Sequence, residues 1–234
     1  MIPNLPTYIP VTFGLTVLAT LLLFYRAVAQ ASTQETRKKE TLILSGLIGW
    51  LIIQGVLSLN GVYKSVPVSG PPRILLFGIL PAMLTIISVF VTPAGRRFAD
   101  SLPLANITWL NTVRVVVELV LYWLFLNKVV PELITFEGRN FDVFSGLTAP
   151  LVAYVGLTKH KLSRQLVLGW NLICLALLIN VVVYAFLSAP SPLQKFAFDQ
   201  PNIAILNLPF SWLPTFVVPV VLLGHLVSIR QLLK

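Results

Sequence analysis

Five polar residues, Thr108, Asn111, Arg114, Glu118 and Tyr122, recur at spacings of 3, 3, 4 and 4 within a stretch that is otherwise largely valine, leucine and tryptophan. On a helix turning about 100° per residue they share one face roughly 120° wide. A guanidinium, a carboxylate, an amide and a phenol on one face can bind an anion, hold a counter-charge or carry a proton. Such a face cannot look into lipid, where a central charged side chain costs roughly 2.5–3.5 kcal/mol. It must point into a bundle or a wet cavity. Arg114 and Glu118 are four residues apart, within direct reach along a helix. Two roles are open: a binding or proton-handling site in which Arg114 attracts an anionic group and Glu118 titrates, or a self-neutralised pair that only fixes helix packing.

Two further segments concentrate polar groups. Phe136-Glu-Gly-Arg-Asn-Phe-Asp142 and Phe196-Ala-Phe-Asp-Gln-Pro-Asn202 contribute Glu137, Arg139, Asn140, Asp142, Asp199, Gln200 and Asn202. Together they are expected to form an outer mouth above the stripe, with Asp142 also placed to cap a helix N-terminus. His225 lies in the last apolar block, at a depth matching Thr108–Asn111, and is a candidate either for a hydrogen bond between helices or for a proton relay through Asn111 to Glu118. No metal is expected, because two histidines at different depths and one cysteine offer no ligand spacing. No Gly-rich phosphate loop or nucleophile elbow is present, so no cofactor is expected either.

These groups must be positioned by membrane helices. Charged residues make up 11% of the chain and hydrophobic ones 56%, with a mean hydropathy of +0.87; a soluble domain carries about a quarter charged residues. Apolar blocks of helical spanning length are read at about 8–26, 41–59, 73–93, 104–128, 142–158, 165–188 and 209–230. Proline, glycine and charge punctuate the joints, among them Ser69-Gly70-Pro71-Pro72 and Ala94-Gly95-Arg96-Arg97. The expected fold is an all-α integral membrane protein, a single seven-helix bundle occupying residues 1–234. One side collects Arg26, Arg37, Lys38, Lys39, Arg96, Arg97, Lys159, Lys161, Arg164, Arg230 and Lys234; the other has Lys64, Arg73, Lys128, Arg139 and Lys195. The richer side is cytoplasmic by the positive-inside rule, which puts the N-terminus outside. The net charge of +9 therefore belongs to membrane topology, and no nucleic-acid partner is expected.

Phe77-Gly-Ile-Leu-Pro81 and Phe210-Ser-Trp-Leu-Pro214 share the pattern F-x-x-L-P. Both fall in the outer half of an inward-running span, as a parallel 3+1+3 repeat would place them; the alternative is a coincidence of five residues. The 142–158 block is short and holds Gly146 and Pro150, and interrupted spans point to transporter sites. The stretch Asn111-Thr-Val-Arg-Val-Val-Val-Glu-Leu-Val-Leu-Tyr-Trp123 and the two polar segments resemble a group of seven-helix inner-membrane proteins of Bacteroidota-type bacteria. The resemblance runs from about the third span to the C-terminus. It implies a multi-pass protein of a Gram-negative inner membrane and brings no activity.

The leading expectation is a small-solute transporter or permease, proton-linked, with Asn111, Arg114, Glu118 and Tyr122 as its midplane site. Its partners would be the lipid bilayer and a solute of unknown identity. A non-enzymatic sensor or accessory subunit is the first alternative, with a second copy of the chain or another membrane protein as partner and a dry, packed interior. An intramembrane enzyme acting on a lipid or quinone is the second. It would need several carboxylates or histidines at one depth, whereas Glu118 alone is secure.

Overall fold

A computed structural model of the chain describes residues 2–64 and 71–234; Ser69 and Gly70 of the expected joint lie outside them. The order is α1 (Tyr8–Ala29), α2 (Gln34–Arg37), α3 (Glu40–Leu59), a π-helical turn (Leu75–Ile79) running into α4 (Leu80–Val91), α5 (Pro93–Ser101), α6 (Leu104–Trp109), and α7 (Val113–Leu126). There follow α8 (Val143–Leu151) with a π-helical continuation (Val152–Thr158), α9 (Arg164–Leu187), and a π-helical turn (Leu213–Val217) opening α10 (Val218–Leu233). Among the described residues there is no strand.

Among the described residues five helical stretches are long and apolar enough to cross a bilayer: Tyr8–Ala29, Glu40–Leu59, Leu104–Leu126, Arg164–Leu187 and Leu213–Leu233. A sixth results if Leu75–Val91 and Pro93–Ser101 count as one span, although they meet at 90°. The bend has a local cause. Thr92 is extended (φ −83°, ψ 146°), its hydroxyl accepts from the Gly95 N–H at 3.1 Å, and Pro93 begins a new helix. Val143–Thr158, expected as a full span, is a shorter apolar helix. The main core joins Phe13, Val17 and Phe24 of α1 to Val117, Val120 and Leu124 of α7 and to Val220, Val221 and Val227 of α10. α6 and α7 are thus central, and α3 is peripheral.

Two prolines shape the packing of α3. Pro81 and Pro219 each lack an N–H and crowd the carbonyl four residues back. In both places the preceding turn opens to the π form, Leu75–Ile79 and Leu213–Val217. The carbonyls deprived of their donors belong to Phe77 and Thr215. Gln54 Nε2 donates to the first at 3.0 Å and Trp50 Nε1 to the second at 2.9 Å. Trp50 and Gln54 stand one turn apart on α3, so one face of that helix answers both kinks. The Tyr63 hydroxyl donates in turn to Gln54 Oε1. Gly78 lies directly under Thr215, where a Cβ would fall 2.4 Å from the threonine methyl. Pro81 and Pro219 thus each follow a π-helical turn, whereas Pro214, the proline of the second F-x-x-L-P, lies within the turn Leu213–Val217.

Candidate functional site

The polar stripe sits where the central helix tightens. Between α6 and α7 the backbone passes through a 3₁₀ turn, Leu110–Thr112, which contains Asn111; such mid-span turns mark hinges or strain. Arg114 follows at the start of α7 and is 3% exposed. A guanidinium has five N–H donors and no acceptor, and here each donor has a partner. Nε donates to Asp142 Oδ2 at 2.6 Å, and Nη2 donates to Asp142 Oδ1 and to the Cys174 carbonyl at 3.1 Å. Nη1 serves Asn111 Oδ1 at 3.1 Å and His225 Nε2 at 2.9 Å. The guanidinium is saturated.

The ion pair is therefore Arg114–Asp142, in the two-pronged geometry that planar guanidinium and carboxylate favour. The expected partner, Glu118, is not the one used. Gly146 explains how Asp142 comes so close. A Cβ at that position would fall 2.8 Å from the Val115 backbone nitrogen and 2.7 Å from its Cγ2, so only glycine lets α8 approach the backbone of α7 there. Asp142, one turn earlier, is thereby set against Arg114. It occupies the N-cap position of α8, yet its carboxylate makes no capping bond; the guanidinium takes both oxygens.

The tautomer of His225 follows from its neighbours. Arginine can only donate, so His225 Nε2 accepts and the proton resides on Nδ1. Nδ1 lies 3.1 Å from Asn171 Oδ1, which accepts it, while Asn171 Nδ2 donates to the Val167 carbonyl at 3.0 Å. His225 is fully buried, with the Trp170 ring 6.1 Å away. His225 and Asn111 do not bond each other directly; Arg114 Nη1 donates to both, and Asn111 makes no bond to Glu118.

Glu118, 2% exposed, is held from the other direction. Asn140 Nδ2 lies 2.7 Å from both of its oxygens and 3.0 Å from the Ile134 carbonyl. Asn140 Oδ1 accepts from the Asp142 N–H at 2.9 Å. One amide thus joins the carboxylate of α7 to the turn that presents Asp142. Among the described residues no Lys, Arg or His lies within ion-pair distance of Glu118.

The remaining expected residues separate into groups. Thr108 is buried and its hydroxyl has no partner among the described residues. Tyr122 is half-buried, its ring 4.8 Å from that of Phe136 and 6.4 Å from that of Phe125. Of the outer mouth, Asp142 belongs to the centre. Glu137 and Asp199 are exposed. Arg139 donates to the Tyr184 hydroxyl at 3.1 Å and lies over its ring. Gln200 secures the end of α7 through the Phe125 and Val130 carbonyls, and Asn202 donates to the Ala185 carbonyl. Both amide nitrogens act as staples, while Asn202 Oδ1 is buried without a partner among the described residues. Asn171 and the Cys174 carbonyl were not anticipated, although Asn171 is conspicuous as a polar residue in the apolar run of α9. Among the described residues no group of three His, Cys, Asp or Glu could hold a metal.

Membrane-length apolar helices packed around a buried ion pair are compatible with a multi-pass helical membrane protein. A family model, the domain of unknown function DUF8737, matches residues 71–233, and the chain belongs to that family. Every member of the network, from Asn111 to His225, falls within the matched residues. No curated protein and no solved structure matches the chain.

Proposed function

We propose that the chain is a proton-linked small-solute permease of a bacterial inner membrane, with the stripe on α6 and α7 as its central site in an occluded form. Seven crossings with the N-terminus outside and the C-terminus in the cytoplasm complete the proposal. It rests on the eleven-to-five distribution of Lys and Arg and counts Leu75–Val91 and Val143–Thr158 as crossings. The Bacteroidota-type resemblance supplies the Gram-negative inner membrane. The two π-turn-and-proline units ending at Pro81 and Pro219 are in keeping with a 3+1+3 repeat.

The observation that carries the proposal is Glu118. Arg114 and Asp142 neutralise each other and saturate the guanidinium, so a purely architectural network is complete without a second carboxylate. Glu118 nevertheless lies buried beside it with one amide as its donor. A buried ionisable group that charge balance does not require is the natural place to load a proton, and such residues mark solute and proton paths in membrane proteins. Three π-helical segments in the spans add to this, since π turns favour functional positions.

The accessory-subunit alternative has its own support. Two clefts, one among Tyr63, Arg73 and Phe186 and one among Phe13, Leu121 and Phe210, include none of Asn111, Arg114 or Glu118 in their walls. One experiment separates the two. In a Cys174→Ala background, Glu118→Cys and Tyr122→Cys are exposed to a membrane-impermeant thiol reagent added from outside. A cycling permease opens to that side and both react; an accessory subunit leaves Glu118→Cys unlabelled.

A further inference from the structure

α5 leaves the axis of α4 at 90°, so its polar face lies along the end of the bundle. That face carries Arg96, Arg97 and Asp100. Asp100 is already committed, accepting from Arg230 at 2.8 and 3.0 Å and from Lys234 at 2.5 Å. Arg96 spends one donor on the Val91 carbonyl. The short α2 is bound to the same shelf: the Ser32 N–H donates to the Ser101 carbonyl at 2.8 Å, and the Ser101 hydroxyl donates to Thr36 Oγ1 at 2.9 Å. α2 brings Arg37 and Lys38, both exposed. The carboxylate of Glu35 is occupied by Lys39 at 2.9 Å. Lys39 first, and Arg97 more weakly, hold the Glu35 carboxyl below its ordinary range.

The shelf thus gathers Arg37, Lys38, Arg96 and Arg97, and among the described residues none of them has a carboxylate within ion-pair distance. Directly beyond the bend, α4 presents Leu80, Leu84, Ile87 and Val91, all between 45% and 64% exposed. Their spacings of 4, 3 and 4 form one straight apolar stripe that ends at the arginines. An apolar strip running into a cluster of unpaired cations has the form of a lipid: acyl chain along the strip, anionic group at its end. Polybasic clusters at the bilayer surface select anionic headgroups in this way.

We infer that the α2–α5 shelf is a binding site for an anionic phospholipid, its phosphate held by Arg96 and Arg97 with Arg37 and Lys38 beside them, and its acyl chain lying along Leu84 and Ile87 of α4. Each cation near an anionic membrane surface contributes about a fivefold factor, so the two arginines together carry roughly a thirtyfold preference. The site is separate from the Arg114 network and does not depend on the transport proposal.

The test uses the full chain purified in a neutral detergent and titrated with phosphatidylglycerol, with phosphatidylcholine, and with inorganic phosphate at equal phosphorus concentration. Lipid adducts are counted by native mass spectrometry, and melting is followed alongside. Phosphatidylglycerol is expected to bind and raise the melting temperature well beyond phosphatidylcholine. Arg96→Gln/Arg97→Gln is expected to melt like the parent without lipid and to lose most of the thirtyfold preference. Leu84→Ala/Ile87→Ala is expected to weaken both lipids and to leave their ratio unchanged. Equal binding of the two lipids by the parent overturns the inference, as does a full phosphatidylglycerol preference in the arginine variant. If inorganic phosphate reproduces the whole effect, the shelf is an anion site and the lipid assignment fails.

Discussion

Replacing Asp142 by leucine would remove the only countercharge, among the described residues, bonded to a guanidinium that is 3% exposed. Two of the five Arg114 donors would lose their acceptor, and those left, Asn111 Oδ1, the Cys174 carbonyl and His225 Nε2, are neutral. Breaking a buried ion pair from one side costs roughly 3–5 kcal/mol, because the remaining charge is stranded. At about 1.4 kcal/mol per decade that is roughly two to nearly four decades in the folding equilibrium. Arg114→Leu strands Asp142 and should cost a similar amount. The double variant strands neither charge, so it should be less destabilised than the two losses summed, by about 2 kcal/mol or more, within the range seen for residues sharing one network. The assay is reversible unfolding in mixed micelles by sodium dodecyl sulfate titration, read by tryptophan fluorescence. A second cycle pairs Arg114→Leu with Glu118→Leu. Those side chains share no hydrogen bond, so its coupling should be clearly the smaller. Additive losses for Arg114 and Asp142, within about 0.5 kcal/mol, or a larger coupling to Glu118, would refute the assignment of the pair.

Gly146→Ala should destabilise by about 1–3 kcal/mol through overpacking, since its Cβ would meet the Val115 backbone, whereas Gly169→Ala, with open space around it, should be neutral or mildly stabilising in the same titration. Trp50→Phe leaves the Thr215 carbonyl without its side-chain donor and should cost about 1–3 kcal/mol, with hydrogen exchange rising around Pro219. Arg230, through its hydrogen bond, and then Lys234 hold the Asp100 carboxyl below its ordinary range. A lowered folded-state pKa means that this stabilisation is present above the unfolded carboxylate range and lost as pH falls through the folded value. Asp100→Asn should therefore cost up to about 1 kcal/mol at neutral pH, as partly exposed pairs do, and match the parent in strong acid. Reporter fusions after Gln34, Asp100, Ser163 and Lys234 should all read cytoplasmic; two reading outside would end the proposed topology.

The stripe itself was legible because helical periodicity is a local property: Asn111, Arg114 and Glu118 do share a buried side of α6–α7. Which group would answer Arg114 was not legible. Spacing puts Glu118 within reach, but the choice is made by tertiary approach, and that depends on the absence of a Cβ at Gly146. Asn140 and Asp142 were visible as polar residues beside an apolar block, and their depth was not, because nothing local says that the turn carrying them folds inward. The π turns were not legible for a related reason. F-x-x-L-P matches letters, whereas each kink is set by which carbonyl loses its donor, Phe77 before Pro81 and Thr215 before Pro219. The helical blocks themselves were found nearly to their ends. The bend at Thr92 was missed, although Thr92-Pro93 is the sort of pair that stops one helix and starts another.

The saturated guanidinium also has a timetable. Its acceptors come from four places along the chain, and the ribosome delivers them in order: Asn111 with the arginine itself, then Asp142, then the Cys174 carbonyl, and last His225. Asn171, which fixes the imidazole tautomer, is already in place when α10 emerges. Until α10 inserts, one Nη1 proton of Arg114 has no acceptor, and the Trp50 indole on α3 waits for the Thr215 carbonyl of the same late segment. The segment from Leu213 onward thus supplies acceptors to donors on two other helices, Arg114 on α7 and Trp50 on α3.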